Sequence, residues 1–195
     1  IVVYSTDNGA ETASWPDGGT TPFHGEKGTT WEGGFRVPLI VRWPGVAKPG
    51  SVCHQLVHHT DVIATVAEAL AVPLPPNAGE DSVSLLPLLK GSDKAVRQSA
   101  VSHSSGGLPS IRQGDWKMIF GKGSGGWGKG EDEHPAQLYN LRDDIGESKN
   151  LYAARPEMAA ALTELMDQTV RNGRSTPGPM QSNDVEVNWR QFLGK

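Results

Sequence analysis

The chain has a single cysteine, Cys53, in 195 residues, which excludes a disulfide within it. No apolar run approaches the ~20 residues that a membrane-spanning helix needs, and the mean hydropathy is −0.41. Excess positive charge is also lacking. The formal net charge is −4, so the footprint of a nucleic-acid binder is absent, and an anionic substrate has to be attracted locally. No Met opens the chain; Ile1-Val2-Val3-Tyr4 does, and an apolar strand with nothing before it is expected of a piece of a longer protein.

Turn residues, by contrast, are abundant. Gly (24) and Pro (14) together exceed their usual share of about 12%, which predicts many turns and long loops. Six Trp and 36% hydrophobic residues still provide a core for one ordinary domain, or for a core with a small appendage.

Residues 1–5 read as a buried strand of the parallel type, ending at Thr6-Asp7-Asn8-Gly9. Residues 10–34 are polar and glycine-rich, with turn pairs at Asp17-Gly18 and Gly33-Gly34. Residues 36–43 form a second strand candidate, which Pro38 restricts to an edge or a strand start. Thr60 is placed to cap a helix whose apolar face is Ile63, Val66, Ala67 and Leu70, ended by Pro73, Pro75 and Pro76. Residues 84–89 add a short helical turn.

Short strands follow at 100–104, 110–113, 116–120 and 137–141, with Gly114-Asp115 as a two-residue hairpin turn. Pro156 opens a final helix that carries Met158, Leu162, Leu165, Met166 and Thr169 on one face and stops at Gly173. Trp189 and Phe192 are available to dock from a polar tail. The pattern predicts the end of an α/β domain (1–94), then a small antiparallel sheet with a packed helix (95–195).

Two segments carry candidate chemistry. Asp7-Asn8-Gly9 suits a tight turn, but at the carboxyl end of a strand in an open α/β sheet it also lies where ligands gather. A carboxylate beside an amide oxygen is a pair of hard donors for Ca²⁺ or Mg²⁺. Since Ca²⁺ takes about 6–8 oxygens, the remaining donors must come from elsewhere. The second segment is Gly25-Glu26-Lys27-Gly28-Thr29-Thr30-Trp31-Glu32-Gly33-Gly34. Read plainly it is a loop with one solvated lysine. Yet glycines near Lys27 let the backbone approach a ligand closely, and a flexible ammonium suits a tetrahedral anion whose charge grows in a transition state.

With these residues in place, the runs VVYSTDNG and GEKGTTWEGGFRVPLIVRWPG resemble the formylglycine-dependent sulfatases of the alkaline phosphatase superfamily. HTDVIATVAEAL, SLLPLLKG, IRQGDWKMI and QLYNLRDDIGESKNL are similar to that family's C-terminal segments, so the likeness covers most of residues 1–155. It implies an α/β fold, the end of an alkaline-phosphatase-like sandwich followed by the small C-terminal sheet. It also implies that Asp7 and Asn8 bind Ca²⁺ and that Lys27 contacts the sulfate of a sulfated small molecule or glycan.

The family's nucleophile, a cysteine in C-x-[PSA]-x-R that is oxidised to formylglycine, has no counterpart here, because Cys53 lies in Val52-Cys53-His54-Gln55-Leu56. The nucleophile and the remaining ligands are expected in an N-terminal part, and this chain alone is expected to be inactive. The resemblance further implies export, to a periplasmic or extracellular location, and leaves the oligomeric state open.

His24, just before the lysine turn, and His103, in Ser102-His103-Ser104-Ser105, are substrate-binding candidates. Either could donate to a sulfate oxygen or protonate a leaving alkoxide, although loop histidines are often simply solvated. Cys53, His54, His58 and His59 match no common zinc spacing. The loop Gly123-Ser124-Gly125-Gly126-Trp127-Gly128-Lys129-Gly130 mimics a P-loop but lacks its hydroxyl residue, and is expected to border the substrate cleft. Two other readings stay open at this point: a phosphoesterase or phosphonate hydrolase of the same superfamily, and a non-catalytic calcium- or glycan-binding module.

Overall fold

The computed structural model describes residues 1–12, 22–128 and 130–194; Asp17-Gly18 and Lys129 lie outside them. In chain order the elements are β1 (Val2–Ser5), α1 (Glu32–Phe35), β2 (Leu39–Arg42), α2 (Asp61–Ala69), α3 (Leu86–Leu89), β3 (Ser99–His103), β4 (Pro109–Gln113), β5 (Trp116–Ile119), β6 (Gln137–Asn140) and α4 (Pro156–Asn172). A short 3₁₀ turn (Trp189–Phe192) follows. The mixed α/β character agrees with the sequence expectation. β1 and β2 pair in a two-stranded sheet, and β3-β4-β5-β6 form a four-stranded one. The chain divides into two compact units.

The first unit comprises Ile1–Tyr4, Ile40–Ala100 and Leu165–Val187. Its strongest polar anchor is Asp61, fully buried at the start of α2. The Asp61 carboxylate accepts the backbone N–H groups of His58 (2.8 Å) and Val83 (3.0 Å) and pairs with both arms of the buried Arg97 guanidinium. Thr60 does not cap α2 as expected. It already has helical backbone angles and no side-chain cap bond, because its hydroxyl donates to the Asp81 carbonyl at 3.0 Å. Asp61 therefore ties down the preceding turn instead.

The expected burial of β1 fails: Val2, Val3 and Tyr4 are exposed, and so are Ile63, Val66 and Leu70 on the apolar face of α2. The strand and the helix both form where the pattern placed them, but nothing among the described residues covers those faces.

The second unit comprises Ser5–Leu39, Val101–Glu164 and Asn188–Lys195. β4 and β5 form the expected antiparallel hairpin, with Gln113 opposite Trp116, and Gly114 turns it with φ at +57°, a left-handed angle that favours glycine. β6 pairs antiparallel with β5. Leu162 of α4 is fully buried, and the neighbouring Thr163 hydroxyl reaches Met118 Sδ of β5 at 3.8 Å. Trp31, Leu108, Ile119, Tyr139 and Leu141 make one core cluster, with Phe192 against it. Trp189 docks edge-on to Phe120, centroids 4.6 Å apart, so both tail aromatics are used.

Candidate active site

All five sequence-derived site residues (Asp7, Asn8, His24, Lys27 and His103) fall in the second unit. Backbone bonds bring the first strand-end turn to the lysine loop. Gly9 N–H donates to the Gly34 carbonyl at 2.9 Å, and Lys27 N–H donates to the Ala10 carbonyl at 2.8 Å. The Glu26 carboxylate reinforces the join by accepting both the N–H (2.8 Å) and the hydroxyl (2.7 Å) of Thr12.

The close approach explains several glycines. A Cβ on Gly9 would lie 1.7 Å from the Gly33 carbonyl oxygen, and one on Gly34 would lie 2.2 Å from that of Thr29. A Cβ on Gly33 would lie 2.5 Å from the carbonyl oxygens of His24 and Gly25, so both glycines of the four-residue α1 sit where a side chain would collide. Gly9→Ala should therefore force the two segments apart at a cost of about 1–3 kcal/mol, the usual range for overpacking. Urea denaturation of the variant against wild type measures it, and a change under a few tenths of a kcal/mol would show that the junction yields freely.

Asp7 is exposed, and no hydrogen bond or ion pair engages its carboxylate among the described residues. The Asn8 amide nitrogen donates to the Gly9 carbonyl at 2.9 Å, which leaves its side-chain oxygen available. The pair thus presents hard oxygens suited to Ca²⁺. Among the described residues no group of three or more His, Cys, Asp or Glu side chains could hold a metal ion, and two side-chain oxygens alone do not make up the about 6–8 donors of a calcium shell. The Lys27 side chain is 37% exposed and its Nζ lies 3.2 Å from the Glu11 carboxylate. That is a half-solvated pair, weak enough to exchange for a bound anion.

His24 faces inward. Its ring stacks on Trp31, centroids 3.9 Å apart at 15°, and its buried Nδ1 has no hydrogen-bond partner among the described residues. Burial, followed by the nearby Lys117 charge, lowers its pKa despite opposing pulls from Glu147 and Asp144, which favours the neutral ring. His103 is exposed at the end of β3. Two residues on, the Ser105 N–H donates to the Gly28 carbonyl at 2.9 Å, which places this turn against the lysine loop.

Sequence reasoning missed what holds the loop. The Trp31 indole N–H donates to Gln137 Oε1 at 2.9 Å, the same oxygen that accepts the Tyr139 hydroxyl at 2.8 Å. Thr30 donates to the Ser124 carbonyl through both its N–H (2.9 Å) and its hydroxyl (3.0 Å). Glu32 and Glu147 clasp Lys117, which is 1% exposed, with Nζ to carboxylate distances of 3.0 and 2.7 Å. Glu147 also accepts the Glu32 backbone N–H at 2.6 Å.

Burial would raise the Glu32 carboxyl, but the charges of Lys117, Arg112 and Arg36 outweigh it and hold the group below its ordinary value. Burial pushes Glu147 up, only partly offset by Lys117. The available signal was alternation in β5. Lys117 sits between Trp116 and Met118, where a lysine reads as solvent-facing, and its partners are 85 and 30 residues away in sequence.

Residues 1–72 match the sulfatase family model. Human arylsulfatase A is 35% identical over 187 residues, covering 85% of this chain and 36% of that protein. N-acetylgalactosamine-6-O-sulfatase of Bacteroides thetaiotaomicron is 33% identical over 183 residues, covering 86% and 35% respectively. A solved structure from a B. thetaiotaomicron locus for glycosaminoglycan metabolism superposes with a TM-score of 0.74 at 32% identity, covering 86% of this chain and 38% of that one. This is a sulfatase-family chain, with arylsulfatase-like relatives over most of its length. It spans about a third of the length of those relatives.

Proposed function

We infer that the full-length protein hydrolyses sulfate esters of carbohydrates or aryl alcohols. The observation that carries this reading is the join described above: two backbone hydrogen bonds, Gly9 to Gly34 and Lys27 to Ala10, set the Asp7-Asn8 turn beside the Lys27 loop. Asp7 and Asn8 would hold Ca²⁺ together with ligands from the rest of the protein. Bound there, the ion would neutralise sulfate oxygens.

Lys27 donates to the sulfate and offsets charge as the ester bond breaks. The formylglycine nucleophile belongs to the part of the protein outside this chain. The bond from Ser105 N–H to the Gly28 carbonyl, two residues past His103, supports substrate contact by His103 at the margin of the site, while the stacking of His24 on Trp31 supports a bracing role alongside any contact it makes. Residues 1–94 are assigned to the catalytic α/β domain, the end of an alkaline-phosphatase-like sandwich, and residues 95–195 to a smaller C-terminal subdomain. The names of the relatives support a sulfated glycan or aryl sulfate as substrate. The family likeness also favours export to a periplasmic or extracellular location. No helix among the described residues is long and apolar enough to cross a membrane.

The test compares initial rates of the full-length protein on an aryl sulfate and on the aryl phosphate of the same alcohol. Faster sulfate hydrolysis is expected. Equal rates, or a preference for phosphate, would replace this reading with a phosphoesterase. Calcium or sugar binding without hydrolysis of either ester would replace it with a binding module.

A further inference from the structure

The described tryptophans of the second unit differ in environment. Trp31 and Trp189 are buried and Trp116 is partly buried, whereas Trp127 is 57% exposed. An indole left in water forgoes a large burial gain, and here the backbone holds it there. Ser104 Oγ donates to the Gly125 carbonyl at 2.7 Å, and Gly106 N–H donates to the same carbonyl at 3.0 Å. Ser124 Oγ accepts the Gly126 N–H at 3.1 Å and donates to the Gly128 carbonyl at 2.8 Å.

The loop is also pressed against the lysine turn. A Cβ on Gly126 would lie 2.1 Å from the Gly28 carbonyl oxygen, and one on Gly28 would lie 3.8 Å from the indole itself. Lys27 Nζ stands 5.7 Å from the centre of the Trp127 ring. An exposed apolar plate on a hydrogen-bonded loop therefore lies close to a cation whose ion pair among the described residues is the half-solvated one with Glu11.

We propose that Trp127 is a substrate platform: the ring of a sulfate ester, a sugar or an aryl group, lies on the indole while its sulfate meets Lys27. A sugar's C–H face or an aryl face buries apolar surface against the indole, and inorganic sulfate offers no such face. Trp127 is then a specificity residue, read in KM for ring esters and silent toward the bare anion. This inference rests on the sulfatase reading above.

In the full-length protein, Trp127→Ala and Trp127→Phe are assayed on 4-nitrophenyl sulfate and on a hexosamine 6-sulfate, with inorganic sulfate as competitive inhibitor. Trp127→Ala should raise KM for whichever ring esters the wild type cleaves by about five- to tenfold, with kcat and the inhibition constant of sulfate essentially unchanged. Trp127→Phe, which keeps an aromatic face, should stay within about threefold of wild type. An unmoved KM in Trp127→Ala overturns the platform. So does an inhibition constant that rises in step with KM, since the indole would then be holding the Lys27 amine rather than a ring. Failure of the wild type to cleave either ester removes the sulfatase reading and the platform with it, whereas cleavage indifferent to residue 127 removes the platform alone.

Discussion

Lys27→Ala in the full-length protein should lower kcat/KM on a sulfate ester by about 10²–10³-fold, the range seen when one fixed donor to developing charge is lost. Cleavage of the ester builds charge on the oxygens around sulfur and on the leaving alkoxide. An ammonium placed there before reaction costs little reorganisation. Lys27 fits that task because its backbone is fixed by the bond to Ala10, while its side chain remains part-exposed and, among the described residues, ion-pairs at 3.2 Å with Glu11. The loss should appear mainly in kcat if the contact strengthens in the transition state, and mainly in KM if it is equally strong in the ground state. An arginine at this position should not restore full activity, since a planar fork replaces a compact point charge. Unchanged rates in Lys27→Ala would remove the residue from the mechanism.

Lys117→Ala should destabilise the protein by about 3–5 kcal/mol, because it leaves the buried Glu147 without its cation and Glu32 with only the more exposed Arg36 and Arg112 as ion-pair partners among the described residues. The side chain bridges Glu32 and Glu147 at hydrogen-bond distance and also lies 4.5 Å from the centre of the Phe35 ring, so truncation costs packing as well as charge. Replacing the three residues together, Lys117→Met with Glu32→Gln and Glu147→Gln, should recover much of the loss, since a buried ion triad adds little over neutral groups of similar shape.

Acidity gives a second readout. The Glu32 carboxyl is held below its ordinary value in the folded chain, so its contribution is present above the ordinary carboxylate range and is lost as pH falls through the depressed value. Glu147 is shifted upward and acts in the opposite sense: its contribution is present below the ordinary range and is lost as pH rises through the raised value. In Lys117→Ala the acid-side loss belonging to Glu32 should shrink. Urea denaturation across acid pH measures both effects, and a variant within about 1 kcal/mol of wild type would show that the triad adds no more than a surface pair.

The two predictions separate what the sequence makes legible from what it hides. Asp7, Asn8 and Lys27 could be singled out as candidates because strand-end polar residues and a glycine-flanked lysine are local patterns, and the resemblance implied roles for them. The strands of the second unit and its Gly114-Asp115 turn were equally local. Glu32, Lys117 and Glu147 were not legible, because a buried ion triad is defined by residues 30 to 115 positions apart and no one segment carries its mark. Burial is hidden for a related reason. Periodicity says that Ile63, Val66 and Leu70 share a face of α2, but not what lies against it, and in this chain the face is exposed. Thr60 failed as a cap because its hydroxyl was engaged by Asp81, 21 residues further on.

The most direct test of the Asp7–Asn8–Lys27 centre is the calcium dependence of sulfate-ester hydrolysis by the full-length protein and its Asp7→Ala variant. Wild-type activity should vanish on chelation and return with Ca²⁺. The variant, missing one charged oxygen ligand, should need at least about tenfold more Ca²⁺ for half-maximal rate, in keeping with tuning of affinity by ligand charge. Activity that survives chelation, or a variant with the calcium requirement of the wild type, would contradict the placement of the ion at this turn.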